Sequence, residues 1–336
     1  MSKVNVLIAG SSGYLGIQLT KILINHKNVN IKYLCGNSSI GKKISYYDKT
    51  LNNKKLPRII KFKKKLLDDV EIIFTALPNG ESQKISKLLL KKNTLIDLSA
   101  DFRLRKPSDY FKHYKIKHNA KSLIKKSIYS LPELKSNLIK KYQIISCPGC
   151  YPTSILLPLI PLIKKDLINN KNIIIDSKSG YSGAGRGVHA KYRNKNLYES
   201  ISAYGLAIHR HNSEIQQEID LINQKKNTFI FTPHLIPMFR GILSTIYVDL
   251  KKGVSQKDVN VILKKFYKNK HFVKIAKQNS FLSTNDVINT NNCIISVCRS
   301  KYKDKLIILC VIDNLIKGGS GQAVQNMNIV CNYNEK

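Results

Sequence analysis

No stretch of the chain constrains the fold more than its N-terminus. Val4-Asn5-Val6-Leu7-Ile8-Ala9 is a compact apolar run closed by Gly10-Ser11-Ser12-Gly13, after which Leu15, Leu19, Ile22 and Leu23 recur at helical spacing. The pattern reads strand, glycine turn, helix. After a turn at Asn28, Ile31–Leu34 reads as a second strand, and Val70–Leu77 and Thr94–Leu98 flank a helix carrying Ile85, Leu88, Leu89 and Leu90. Gln143–Ser146 is one more strand, running into Cys147-Pro148-Gly149-Cys150, with a helix starting near Tyr151.

Strands alternating with helices predict an α/β fold with a doubly wound, Rossmann-like parallel sheet. After Asn172 the pattern changes: longer strands over Leu243–Leu250 and Lys305–Ile312, with a helix after Ser255 whose start carries Asp258 as a capping partner, predict a mixed sheet. The second half therefore reads as a different, α+β domain. Gly318-Gly319-Ser320-Gly321 precedes a last helix from Gln322. At 336 residues the chain exceeds what one core usually spans, so two domains are expected.

Composition excludes more than it assigns. With 43% hydrophobic residues the chain can bury a large core, which rules out a disordered basic tail. The formal net charge of +36 invites a nucleic-acid reading, but Lys54-Lys55, Lys63-Lys64-Lys65, Lys125-Lys126, Lys164-Lys165 and Lys264-Lys265 are scattered without a dominant block. A solvated lysine surface, with no specific nucleic-acid partner, is the expectation. The cysteines are odd in number at seven and sit mostly in apolar runs, which disfavours a disulfide framework. Cys147 and Cys150 have metal-pair spacing, but no second pair completes a site and no metal is expected. The N-terminal apolar run is too short for a signal segment or a membrane span, so the chain reads as soluble and cytoplasmic.

Several short segments can carry chemistry. Gly10-x-x-Gly13-x-x-Gly16, after a strand and opening a helix, suits a dinucleotide pyrophosphate or an ordinary tight turn. At the end of the second strand stand Cys35-Gly36-Asn37-Ser38-Ser39 and then Lys42-Lys43, with no carboxylate to repel a 2′-phosphate, which favours NADP over NAD. Cys150, at a strand-to-helix junction, is either a thiolate stabilised by the helix N-terminus, with backbone N–H groups nearby as an oxyanion hole, or a small core residue. His209-Arg210-His211-Asn212-Ser213-Glu214 offers imidazoles for acid–base work and a carboxylate to orient them, or a surface ion-pair cluster. The hydroxyl- and glycine-rich loop Ser179–Arg186 suits an anion or the nicotinamide end of a cofactor, and Arg103, after Asp101-Phe102, can take a carboxylate in bidentate fashion.

Taken in order, these segments resemble the N-acetyl-gamma-glutamyl-phosphate reductase family of the semialdehyde dehydrogenase superfamily. The resemblance runs from Gly10-Ser11-Ser12-Gly13-Tyr14-Leu15-Gly16 through Asp97–Leu104, Leu131-Pro132-Glu133-Leu134 and Pro148-Gly149-Cys150-Tyr151-Pro152-Thr153. It continues over Ser177–Arg186, His209–Ile215 and Asn314–Ala323. It implies an NADP-binding domain at 1–149 and 314–336, with a catalytic and oligomerisation domain at 150–313 between its parts, and a homodimer or tetramer.

It also implies a reaction: NADPH-dependent reduction of N-acetyl-L-glutamyl 5-phosphate to the 5-semialdehyde and phosphate, in arginine biosynthesis. Cys150 would attack the acyl phosphate and carry the thioester. An imidazole, His211 by preference with His209 and Glu214 close by, would stabilise the thiolate and then protonate the departing aldehyde oxygen. Arg103, Arg186 and Ser179 would bind the substrate, and Gly10, Ser12, Gly13, Tyr14, Leu15, Gly16, Ser38, Gly180, Gly183, Asn314 and Gly318 the cofactor. Cys147, Ser130 and Ser213 depart from the family pattern, and Cys147 raises an inactivating Cys147–Cys150 disulfide under oxidation. The alternatives are a reductase of aspartyl phosphate or of an acetylaminoadipyl-type phosphate and, outside enzymes, a basic nucleic-acid-binding protein.

Overall fold

The structure, a computed structural model, describes residues 3–186, 199–223 and 227–335. The chain divides into two compact units, Met1–Pro148 with Gly319–Lys336, and Gly149–Gly318. The second crossing thus falls after Gly318 rather than before Asn314, so Asn314 and Gly318, expected with the cofactor domain, belong to the second unit.

In the first unit, the described residues form a seven-stranded sheet in the order β3-β2-β1-β4-β5-β7-β6, parallel at every pairing. Its strands are β1 Val4–Ala9, β2 Val29–Cys35, β3 Ile59–Ile60, β4 Ile72–Thr75, β5 Thr94–Asp97, β6 Ser127–Tyr129 and β7 Ile144–Ser146. A parallel sheet covered on both faces needs continuous apolar strands rather than alternating ones, and β1 meets that need. Val6 and Ile8 enter one core with Ile17, Leu19 and Leu23 of helix α1 (Tyr14–Leu23), while Leu7 and Ala9 enter the opposite core with Ile73, Leu95 and Phe102. The first core is completed by Ala323, Val324 and Met327 of the C-terminal helix, Gly321–Val330, so the last residues of the chain close the first unit.

The helix expected over Ile85–Leu90 is shorter. Helix α2 spans Glu81–Ser86, and Leu88, Leu89 and Leu90 lie beyond it, packed against the second core. Leu88 N–H bonds back to Ile85, and Asn93 Oδ1 takes the N–H of Leu90, while the Asn93 amide holds the Leu67 and Val70 carbonyls. Side-chain capture of these backbone groups competes with another helical turn.

The second unit holds a mixed sheet, seven-stranded among the described residues, ordered β12-β13-β14-β11-β8-β10-β9. Its strands are β8 Ile173–Gly180, β9 Ser202–Ala203, β10 Phe229–Ile236, β11 Ile242–Asp249, β12 Val273–Ile275, β13 Cys293–Arg299 and β14 Lys305–Ile312. The long buried helix α5, Cys150–Lys164, follows α3 (Pro107–Tyr114) and α4 (Pro132–Ile139) in the chain. It contains Pro158 and Pro161, and a proline removes the N–H that would bond four residues back. The carbonyl freed by Pro161 is that of Leu157, and it accepts the Tyr267 hydroxyl at 2.6 Å from the end of a helix spanning Gln256–Tyr267. That helix begins with the expected capping box of Ser255 and Asp258. Buried hydroxyls of Ser154, Ser244 and Ser177, each 2.7 Å from the next, tie α5 to β11 and β8. No helix among the described residues is long and apolar enough to cross a membrane.

Candidate active site

Gly149 caps α5 in an extended conformation, φ −65° and ψ 160°, without a side-chain bond to the cap, and Cys150 is the first helical residue. The N–H of Gly149 donates to Glu214 Oε2 at 3.0 Å, so it serves that carboxylate and not an oxyanion. Glu214 is fully buried, and its other oxygen lies 3.8 Å from Nε2 of His211. One carboxylate therefore holds both the start of the cysteine helix and an imidazole. His211 begins helix α6, His211–Asn223, whose spacing puts Glu214 one turn on and on the same face.

The same imidazole lies against the residue before Cys150. A Cβ built on Gly149 would fall 2.4 Å from His211 Nε2. Gly318 is as tight on the other side, since a Cβ there would come 2.6 Å from the Cβ of Cys150. His209 is differently placed: its Nδ1 accepts the backbone N–H of His211 at 3.1 Å, and its ring meets Tyr151, Tyr204, Phe231 and His211 edge to face. Burial, and then the neighbouring Arg210 charge, lowers its pKa from 6.5 to about 4. His209 is therefore neutral at pH 7, and the two histidines differ in surroundings, one among aromatic rings and the other beside the Glu214 carboxylate.

A cavity of about 380 Å³ opens over this group, lined by Cys150, His211, His209, Ser179, Tyr204 and Arg210 among others. Ser179, Gly180 and Gly183 reach it from the end of β8. That loop is strapped to 238–241: Gly180, Tyr181 and Ser182 each donate an N–H to a carbonyl of Gly241, Met238 and Phe239. Asn314 completes the strap, its amide oxygen accepting Gly241 N–H and its nitrogen donating to Ser182 Oγ. Asn314, expected at the cofactor, thus shapes the loop from beneath.

In the first unit, Gly10 sits at φ +85°, and Cβ atoms on Gly10 and Gly16 would fall 2.2 Å from the Ala76 and Gly10 carbonyl oxygens. These two glycines let helix and strand approach. Gly13 is different, because a Cβ there would make only ordinary contact, 3.5 Å from the Gly10 carbonyl oxygen, at the start of α1, which no side chain caps. That cradle fits a pyrophosphate held by helix N–H groups. Ser12 and Tyr14 flank Gly13 half-buried, whereas Leu15 packs into the core. Beside Gly10 a cavity of about 220 Å³ is lined by Cys35, Gly36, Asn37, Lys61 and Lys84 among others. Lys61 lines this cavity, as do Lys84 and Glu81, which pair with each other at 2.5 Å; Lys42 lies 4.4 Å over the Tyr46 ring, and Ser38 is exposed on the neighbouring turn. Lys61 follows a strand of only two residues, which leaves no periodic signal to read.

Arg103, Arg186 and Cys147 were also expected to matter from the sequence. Arg103 belongs to the first unit, is buried, and donates to the Leu98 carbonyl at 3.0 Å. Arg186 is exposed at the last described position before 187–198. Cys147 and Cys150 are both free thiols; Cys147 is buried in the first unit, accepts from Asn326 Nδ2 at 3.6 Å, and burial pushes its pKa up to about 12. Among the described residues no group of His, Cys, Asp and Glu could hold a metal ion. Tyr151, Tyr204, Arg210 and Leu235 line the cavity without having been singled out from sequence.

Comparison with known proteins agrees with this division. A model described as semialdehyde dehydrogenase, NAD binding domain, matches residues 5–142, and one described as semialdehyde dehydrogenase, dimerisation domain, matches residues 150–314. The chain is 41% identical to the probable chloroplastic N-acetyl-gamma-glutamyl-phosphate reductase of Arabidopsis thaliana over 332 residues, covering 99% of this chain and 83% of that protein. It is 40% identical to the N-acetyl-gamma-glutamyl-phosphate reductase of Desulforamulus reducens, covering 97% and 95%. Among solved structures, aspartate semialdehyde dehydrogenase II of Vibrio cholerae, complexed with ASA, superposes with a TM-score of 0.74 at 16% identity, covering 99% of both chains. The enzyme of Candida albicans with NADP gives 0.71 at 14% identity, covering 98% of this chain and 99% of that one.

Proposed function

Because the chain belongs to the N-acetyl-gamma-glutamyl-phosphate reductase family, we propose that it reduces N-acetyl-L-glutamyl 5-phosphate to the 5-semialdehyde, releasing phosphate, as a step of arginine biosynthesis. The observation that carries this reading is the single buried carboxylate, Glu214, holding both the Gly149 N–H beside the cysteine and the His211 imidazole.

Cys150 attacks the acyl carbon as a thiolate, which the positive end of α5 favours. A C–S bond forms, the C–O bond to phosphate breaks, and phosphate leaves with the electron pair. NADPH, when bound, supplies a hydride to the acyl carbon of the thioester. His211, with Glu214 stabilising its protonated form, accepts the proton that Cys150 must lose and returns one as the C–S bond breaks and the aldehyde is released. His209 does not share that task, since its imidazole stays neutral; it orients His211 through the backbone N–H it accepts. Gly13 and the start of α1 receive the pyrophosphate, and Lys61 provides positive charge at the neighbouring cavity for a 2′-phosphate, the Lys84 charge being paired with Glu81.

The chain works as a homo-oligomer through the outer face of the mixed sheet. Ile230, Ile174, Tyr247 and Ile307 stand side by side across four strands, and Ile230, Ile174 and Tyr247 are 63%, 46% and 41% exposed. An apolar row of that extent on a sheet face calls for a partner, and a second copy fits because the matched dimerisation-domain model spans this sheet.

The test is phosphate-dependent oxidation of N-acetylglutamate semialdehyde with NADP. Cys150→Ser is expected to abolish turnover while NADP binding, read by fluorescence, survives; turnover retained in that variant overturns the mechanism. Rates on aspartate semialdehyde and on the one-carbon-longer acetylamino semialdehyde, compared with this one, separate the related reductases.

A further inference from the structure

We infer that Arg210 is the residue that reads the α-carboxylate of the substrate, an inference that rests on the reductase reading above. A substrate with an acyl phosphate at one end and a carboxylate at the other presents two anions, and the sequence offered Arg103 and Arg186 for them. The second unit holds a further candidate, Arg210. Arg210 lines the same cavity as Cys150 and His211, and no Asp or Glu lines that cavity among the described residues. Its position is fixed from both sides. Its carbonyl accepts the Ser213 hydroxyl at 2.7 Å, His209 N–H bonds Gly205 at 2.8 Å, and Asn212 N–H bonds His209 at 2.9 Å. Arg210 therefore stands on a pinned turn between the two histidines, exposed to solvent and lining the cavity.

The division of the two anions follows from where each must lie. The phosphate is bonded to the reacting carbon, so it sits beside Cys150 at the start of α5, where helix N–H groups already favour an anion. The carboxylate is at the far end of the carbon chain and toward the cavity mouth, where Arg210 is exposed while His211 and Glu214 are buried. A planar guanidinium matches a carboxylate with two parallel N–H donors, a geometry that an ammonium cannot reproduce.

The oxidation direction separates the two anions, because the semialdehyde carries only the carboxylate and inorganic phosphate is added independently. In R210Q, kcat/KM for N-acetylglutamate semialdehyde is expected to fall roughly 10- to 100-fold, the loss typical of a charge-assisted pair. KM for phosphate should stay within about threefold, and R210K should fall between the two. On the analogue with an α-carboxamide, wild type and R210Q should react alike. A thermal melt and NADP binding report that each variant is folded, and R210K carries the test if R210Q is not. A rise in KM for phosphate, an equal loss on acid and carboxamide, or unchanged kinetics in R210Q each overturns the inference. A wild-type protein with no activity on the semialdehyde overturns the reductase reading instead, before any variant is made.

Discussion

Gly149→Ala isolates the contact between imidazole and cysteine helix with a single methyl group. The backbone at Gly149, φ −65° and ψ 160°, is open to any L residue, so the substitution introduces no backbone strain. The new Cβ would stand 2.4 Å from Nε2, 2.7 Å from Cε1 and 2.8 Å from Cδ2 of His211. Ordinary contact begins at 3.4 Å, so the ring must retreat by 3.4 − 2.4, or 1.0 Å. It has little room for that, since Tyr151 and His209 flank it with ring centroids 5.9 and 4.8 Å away. A displacement of about 1 Å in a catalytic group costs on the order of 10²-fold in rate, which corresponds to about 2.7 kcal/mol. Overpacking at the site should also lower stability by about 1–3 kcal/mol. The assay is steady-state oxidation of the semialdehyde in Gly149→Ala, His211→Ala and the double variant. If the methyl acts by moving His211, the double variant is no slower than His211→Ala alone. A Gly149→Ala enzyme within threefold of wild type, or losses that multiply in the double variant, would refute the geometry.

Three further outcomes follow from particular residues. Burial holds the His209 pKa near 4 against 6.5 when unfolded, so the unfolded chain binds more protons between those values and stability falls as pH drops from 6.5 toward 4. The difference is worth up to about 3 kcal/mol, and denaturant midpoints of His209→Gln should show a correspondingly flatter slope over that window; an unchanged slope rejects the assignment. Tyr267→Phe leaves the Leu157 carbonyl, freed by Pro161, buried without the hydroxyl, and should cost about 1–3 kcal/mol in a urea titration with kcat little changed. Tyr247→Glu on the apolar sheet face should shift the protein to monomer in light scattering at low concentration; an unaltered mass would place the oligomer interface elsewhere.

The parts of this molecule that were legible in sequence are those governed by local physics. β1, α1 and β14 were readable because a buried parallel or central strand is a continuous apolar run and an amphipathic helix has its own period. The capping box at Ser255 was readable because its partners are three residues apart. What escaped depended on contacts distant in the chain. The early end of α2 is set by Asn93, beyond the helix, and the tolerance of α5 for Pro161 by Tyr267, more than a hundred residues away. At the site, Cys150, His211 and Glu214 stand out by chemistry, but only folding separates the neutral His209 from the carboxylate-linked His211. Arg210 stands between the two histidines in sequence, but no local pattern reveals that it lines a cavity. The scattered lysines mark no site by their number, and only the fold shows that Lys61 lines the cavity beside the glycine turn.

The central claim is that Cys150 carries the acyl group while His211 manages its proton. It is tested most directly by mixing the protein with N-acetylglutamyl phosphate in the absence of NADPH, quenching in acid and mapping the acylated peptide by mass spectrometry. One N-acetylglutamyl group is expected on Cys150, released as semialdehyde when NADPH is added, and formed far more slowly in His211→Ala. Acylation at another residue, or an unmodified Cys150 in an enzyme that turns over, would contradict it.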